Sequence, residues 1–415
     1  MTRYVRADAL AADAADAADP LASRRDAFDL PPGLIYLDGN SLGPLVRASA
    51  TRVGAVVADQ WARGLVTSWN AAGWMDLPLA VGDRIAPLIG AGPGEVVAVD
   101  TLTMVLAKAI GAALELRPER SVVLTDAANF HTDLYILEAM ARRARRPVQV
   151  RALDRADLLG ALDDSVALVM LTHVDFRTGE MLDLGALTAQ AHRAGALMLW
   201  DLAHSTGAVP VDLTGADADF AAGCTYKYLN GGPGSPAFLW VAPRLVAQVV
   251  NPLPGWLGHA RPFDFEPVFT PAPGIRGLVT STPSILALAA LDGALDAFDG
   301  VDLAALRAKS LALTDLFITL VEERLPGALS LVTPRDHARR GSQVSWRHPA
   351  AYGIVQALIA RGVVGDFRAP DIARFGFAPL YVRFVDVVDA VEHLAAVLAT
   401  GEHLDARYAT RQAVT

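Results

Sequence analysis

Short runs of uniformly apolar residues recur along this chain, each closed by a polar or glycine-rich stretch. Between them lie segments in which apolar positions return every three or four residues. The first pattern predicts buried strands and the second amphipathic helices. Strands are expected at Leu34 to Leu37, Val96 to Val99, Ser121 to Thr125, 148 to 153, 166 to 171, Leu197 to Trp200, Phe220 to Cys224 and Phe238 to Val241. The helical pattern covers 46 to 66, Met104 to Leu116, 135 to 146, 155 to 163 and Asp183 to Ala194. Such alternation predicts an α/β fold with a mostly parallel sheet, the last strand lying antiparallel at its edge.

From about residue 300 the pattern changes. A long helix over Leu303 to Leu325 is followed by strands at Leu329 to Val332, Gln343 to Arg347 and Ile372 to Gly376, with helices at Tyr352 to Arg361 and Asp386 to Leu398. These predict a smaller α+β domain over 296–415, a large domain over 51–295, and an N-terminal arm over 1–50 that belongs in part to the small one.

Composition narrows the class. Of the 415 residues 53% are apolar, and glycine and proline are at ordinary levels, so a globular α/β protein fits and disorder does not. A net charge of −9 argues against nucleic acid and anionic membrane as partners, and no run approaches the length of a membrane helix. The N-terminus carries Asp residues where a signal peptide needs apolar ones, and the lone Cys224 permits no intrachain disulfide. A cytosolic location is therefore expected.

The chemistry concentrates in Leu197 to Ser235. The strand Leu197 to Trp200 runs into Asp201, with His204 three residues later; the next strand delivers Thr225, Tyr226 and Lys227 just before the glycine-rich loop Asn230 to Gly234. Ligands collect beyond the carboxyl ends of strands in open α/β sheets. A part-desolvated lysine is the residue type that forms Schiff bases. An acid and a lysine at neighbouring strand ends suggest pyridoxal 5'-phosphate, the acid holding the ring nitrogen protonated and the amine anchoring the aldehyde. Taken singly, Asp201 could cap a turn, Lys227 could be a surface charge and NGGPG could be a tight turn.

At these residues a resemblance becomes specific. DLAHSTGAVPVDL and CTYKYLNGGPGSPAFLWV resemble the core of kynureninase, a pyridoxal phosphate enzyme of the aspartate aminotransferase fold family. IYLDGNSLGPL, SWNAAGW, LTHVDFRTG, GWLGH and IARFGFAPLY extend the likeness over nearly the whole chain. The resemblance implies a fold type I transferase architecture, a homodimer with shared active sites, and hydrolytic cleavage of L-kynurenine to anthranilate and L-alanine, with the 3-hydroxy form as an alternative substrate. No metal is implied.

Site residues follow from position and resemblance together. The turn after Val96 to Val99 points helix amides and the Thr103 hydroxyl at one spot, a geometry that suits a helix cap and an anion site equally. The resemblance assigns Leu102 and Thr103 to the cofactor phosphate. It implies that Phe130 stacks on the cofactor ring, with Asp133 as a second polar contact, although His131 stands where related sequences have Pro. Thr172 ends a strand at the same edge and is either a cofactor contact or an ordinary strand terminus. His204 is expected beside the ring and Asp201.

Trp256, in a loop too apolar for idle exposure, is implied to reach the partner subunit's cofactor phosphate, the alternative being a core tryptophan. Thr282 matches a second such contact, although Pro283 and Ser284 depart from the expected spacing. Ser41 is implied near the substrate and Tyr226 as the acid near Cβ. Arg374 sits between apolar neighbours, which is costly unless an anion meets it. The fold family implies a clamp on the substrate's α-carboxylate; an internal ion pair is the other reading.

Other classes are weaker. A desulfurase needs a mobile cysteine far from the lysine, and Cys224 lies three residues before it. A non-catalytic carrier has no use for a carboxylate clamp, and no G-x-G-x-x-G follows a first strand. A class V aminotransferase or desulfurase-like enzyme is the alternative that keeps the cofactor site.

Overall fold

The computed structural model describes residues 3–408 and 410–412. Seven strands form its main sheet: β2 (Val96–Val99), β3 (Val122–Asp126), β4 (Gln149–Leu153), β5 (Val166–Thr172), β6 (Leu197–Asp201), β7 (Phe220–Gly223) and β8 (Ala237–Val241). Their order is β2-β8-β7-β6-β5-β3-β4, with β8 antiparallel to both neighbours and all other pairings parallel. The expected antiparallel strand is thus present but not at the edge, because β2 pairs along its outer side. Six strands run the same way, so Asp201, Thr172 and the segments after β2 and β7 leave the sheet along one border.

The apolar runs have no polar face because both faces are covered. Met198 and Trp200 enter one hydrophobic layer, while Leu197 and Leu199 enter the other. This is the twofold alternation of a strand applied to the inner strands of a sheet covered on both sides; only the edge strand β4 has exposed positions among the seven.

A second sheet, β12 (Asp366–Arg368), β13 (Ile372–Gly376), β10 (Gln343–Arg347) and β9 (Ser330–Leu331) in that order, is antiparallel and carries Arg374 at its centre. The N-terminal segment belongs to this part of the molecule. β1 (Ile35–Tyr36) pairs in parallel with β11 (Val363–Val364), and the Asp16 carboxylate accepts from the Phe384 and Val385 amides that open the helix Phe384–Thr400.

Three helical expectations are corrected. The 46 to 66 segment starts as the α-helix Arg47–Ala55 and widens to π-helix over Val56–Gly64. The helix expected at 135 to 146 occupies His131–Arg143. The helix expected at 155 to 163 is absent: only the 3-10 turn Leu159–Ala161 forms, and Arg155 reaches instead to Asp126 and Glu180. No helix among the described residues is long and apolar enough to cross a membrane.

Candidate active site

Asp201 is the last residue of β6, and Lys227 follows the adjacent β7. Between them His204, in the turn after β6, receives Lys227 Nζ on its Nε2 at 2.9 Å. Burial, then the Lys227 charge, holds the His204 pKa well below the usual imidazole value, so the ring is neutral and Nε2 accepts. The chain contains three lysines. Lys108 and Lys309 are buried in ion pairs with Asp100 and Asp19, while Lys227 is half-buried at the sheet border.

The Asp201 carboxylate accepts from the Ala203 amide at 2.8 Å, and Thr172 Oγ1 lies 3.5 Å from its other oxygen while donating to Asn129 at 2.5 Å. Asp133 is buried beside it. Burial and then the Asp201 charge raise the Asp133 pKa well above the carboxylate range. Burial also raises that of Asp201, with Lys227 opposing. Lys227 thus draws Asp201 back toward the ionised form that meets a cation. Asp133 Oδ2 and His204 Nδ1 are buried and have no partner among the described residues. The site therefore fits a flat, polar-edged group, which the donor set of Asp201, His204 and Lys227 matches in pyridoxal phosphate.

Phe130, 37% exposed, opens the helix His131–Arg143, its ring centroid 4.3 Å from that of His131 and edge-on to Phe176 at 5.1 Å. The helix Leu102–Leu116 begins at the carboxyl end of β2, two strands from Lys227 on the same border. Its N-cap is Thr101; Thr103 lies inside the first turn, where helix amides lack intrahelical acceptors.

Arg374 is 1% exposed. Its Nε donates to Asp366 Oδ1 at 2.7 Å and its Nη2 to Asp366 Oδ2, so the internal ion pair exists. Nη2 also donates to Ser41 Oγ at 2.8 Å and Nη1 to the Phe176 carbonyl. Ser41 and Arg374 are therefore in direct contact. The Ser41 turn is also tied to the lysine: Gly43 N donates to the Tyr226 carbonyl at 2.7 Å, and a Cβ on Gly43 would come within 2.4 Å of the Lys227 carbonyl oxygen. Only glycine lets these backbones approach so closely.

Tyr226 has its ring 5.9 Å from Lys227 Nζ. Neighbouring Cys224 and then burial raise its pKa, keeping it a phenol. Cys224 is 4% exposed and burial raises its pKa, leaving an inert thiol. Trp256 (39% exposed, against Phe263) and Thr282 (exposed) lie on the segment after β8 and make no contact with this cluster in the single chain.

Sequence reasoning did not single out Asp366, Arg368, Asp38, Phe176 or Lys108. Arg368 Nη2 reaches Ser41 Oγ at 3.1 Å and Asp366 at 2.6 Å. Asp38, half-buried beside Asp366, has its pKa raised to about 7 by desolvation and by that neighbour's charge.

Fold and site together define a pyridoxal-phosphate-dependent enzyme of fold type I. Solved structures of similar architecture include a cysteine desulfurase from Thermococcus onnurineus NA1 (TM-score 0.76, 16% identity, 91% of this chain and 98% of that one). Another is the cysteine desulfurase CsdA from Escherichia coli (TM-score 0.73, 20% identity, 92% and 98%). A third is a C-DES variant with glycine covalently linked to its PLP cofactor (TM-score 0.76, 19% identity, 90% and 98%). Sequence goes further. The family model of the kynureninase C-terminal domain matches residues 306–394. Kynureninases from Burkholderia pseudomallei (strain K96243) and Pseudomonas fluorescens are 53% and 52% identical, over 97% and 99% of this chain and 98% and 99% of their own lengths. The chain belongs to the kynureninase family.

Proposed function

We propose that this chain hydrolyses L-kynurenine at the Cβ–Cγ bond, giving anthranilate and L-alanine, with pyridoxal 5'-phosphate as cofactor. The observation that carries the site is the pairing of Lys227 with neutral His204 at 2.9 Å, one strand from the buried Asp201. The desulfurase alternative is not favoured, since Cys224 is buried and the relatives over nearly the full length are kynureninases.

When bound, pyridoxal phosphate supplies an electron sink for charge that develops on an amino acid's α carbon. Asp201 keeps a proton at the ring nitrogen, and Asp133, with Thr172, fixes that carboxylate. Lys227 anchors the cofactor and then takes the substrate's α-proton, its amine held in line by His204 Nε2. Phe130 covers the ring. Leu102 and Thr103, at the first helical turn, receive the phosphate. Ser41 and Arg374 bind the α-carboxylate; water adds to the side-chain carbonyl carbon so that Cγ leaves as the carboxyl of anthranilate, Tyr226 gives the proton that Cβ takes up as the carbon–carbon bond breaks, and the proton lost by the hydrated ketone restores the phenol.

On the same reading the enzyme is a cytosolic homodimer. Trp256 and Thr282, both exposed here, reach the phosphate of the second copy's cofactor. Residues 51–295 form the large domain and 296–415 the small one, which residues 1–50 join in part; the β1–β11 pairing and the Asp16 contacts support that division. Incubating the protein with pyridoxal phosphate and L-kynurenine should release fluorescent anthranilate with an equal amount of alanine. Kynurenine consumed without anthranilate would reject the assignment.

A further inference from the structure

Lys108 is fully buried on the helix Leu102–Leu116, in a chain with only three lysines. Helical side chains lean toward the N-terminus, and this one runs back along the first two turns. Its Nζ meets Asp100 Oδ2 at 2.6 Å and the Leu278 carbonyl at 2.6 Å. Burial lowers the amine's pKa and the Asp100 carboxylate opposes the drop.

Each acceptor has a definite place. Asp100 has a φ of 51°, a left-handed conformation that turns the chain from β2 into the helix and so sets where Leu102 and Thr103 sit. Leu278 ends the turn Gly274–Leu278, four residues before Thr282. The Trp256 loop is packed on the same segment: Thr280 Oγ1 donates to the Leu253 carbonyl at 2.8 Å, Asn251 Nδ2 donates to the Gly277 carbonyl at 3.1 Å, and a Cβ on Gly255 would lie 1.8 Å from the Thr280 carbonyl oxygen. One ammonium therefore joins the turn before Thr103 to the arm that carries Trp256 and Thr282.

We infer that Lys108 is a positioning residue for phosphate binding, holding the Asp100–Thr103 turn of one cofactor site against the arm that completes the other. This rests on the proposed placement of the phosphate at Leu102, Thr103, Trp256 and Thr282. Lys108 does not touch the phosphate on this account. It fixes the distance between two sets of groups that do.

The test compares pyridoxal phosphate with pyridoxal, which lacks the phosphate, in absorbance titrations of the full-length apoprotein. Lys108→Met is expected to weaken pyridoxal phosphate binding by about tenfold or more while leaving pyridoxal within about twofold. A general loss of structure lowers both alike, and that result, or no change in either, overturns the inference. Asp100 is 30% exposed and can take up water when its partner is removed, so the variant should fold. If it does not, Asp100→Asn decides, with the same selective loss expected and an equal or absent loss overturning the inference. Thr103→Val separates the role of Lys108 from the placement of the phosphate. Lost phosphate selectivity in Thr103→Val but not in Lys108→Met rejects the role of Lys108, whereas full selectivity in Thr103→Val rejects the phosphate placement itself.

Discussion

Asp366 stands opposite Arg374 in the antiparallel pairing of β12 and β13, and its carboxylate takes the Nε and Nη2 edge of the guanidinium. Both side chains are 1% exposed. Burial disfavours both charges, but each holds the other ionised: the Arg374 pKa is raised and that of Asp366 lowered. Beyond Asp366, Nη1 donates to the Phe176 carbonyl and Nη2 to the Ser41 hydroxyl, both neutral groups. On the proposed reading, ion pair and carboxylate clamp are two uses of one fork, with Asp366 bracing the Nε edge and the α-carboxylate taking the other.

Arg374→Gln should accordingly raise the KM for L-kynurenine by about 10- to 100-fold, the range expected for a lost charged hydrogen-bond pair. Asp366→Asn should raise it less, by loosening the fork without removing it. Steady-state kinetics decides, and an unchanged KM in Arg374→Gln places the clamp elsewhere.

Lys227→Ala should lose the yellow colour of the bound cofactor and all turnover. A variant with both intact would remove Lys227 from the mechanism. His204→Phe should retain cofactor but turn over more slowly, because the lysine amine loses the acceptor 2.9 Å away.

Asp38 gives a pH dependence. Its pKa is raised from 3.8 to about 7 by burial and by Asp366. Between those values the folded protein keeps a proton that the unfolded chain has lost, so this group's contribution to stability falls as pH rises through the window and stays lower above it. Asp38→Asn should raise the melting temperature at about pH 8 by about 2 °C or more, and by less at about pH 5. Calorimetry at the two pH values checks this; an equal gain at both would mean that Asp38 does not titrate as described.

Lys227→Ala and Trp256→Ala subunits, mixed under conditions of exchange, should recover up to about a quarter of wild-type activity, since half the dimers are hybrid and each hybrid has one intact site. No recovery after proven exchange would contradict shared sites.

The sequence exposed some of this and hid the rest for physical reasons. Strands such as Leu197–Asp201 were legible because a sheet covered on both faces leaves an unbroken apolar run, and the polar residue that ends it marks the ligand border. Asp366 was hidden because its partner is set by register between two strands, which composition does not reveal. The segment after Asp154 has helical spacing at Leu158, Leu159 and Leu162, but tertiary ion pairs drew Arg155 across to Asp126 and Glu180 and overrode a weak local preference. The inner position of β8 was likewise hidden, since β2, the strand outside it, comes first of the seven in the chain.

The central claim is that Lys227 is the residue joined to the cofactor. Borohydride reduction of the loaded protein, digestion and tandem mass spectrometry locate the phosphopyridoxyl group directly. The account predicts it on the peptide containing Tyr226, Lys227 and Tyr228; stoichiometric label on Lys108 or Lys309, with Lys227 unmodified, would contradict it.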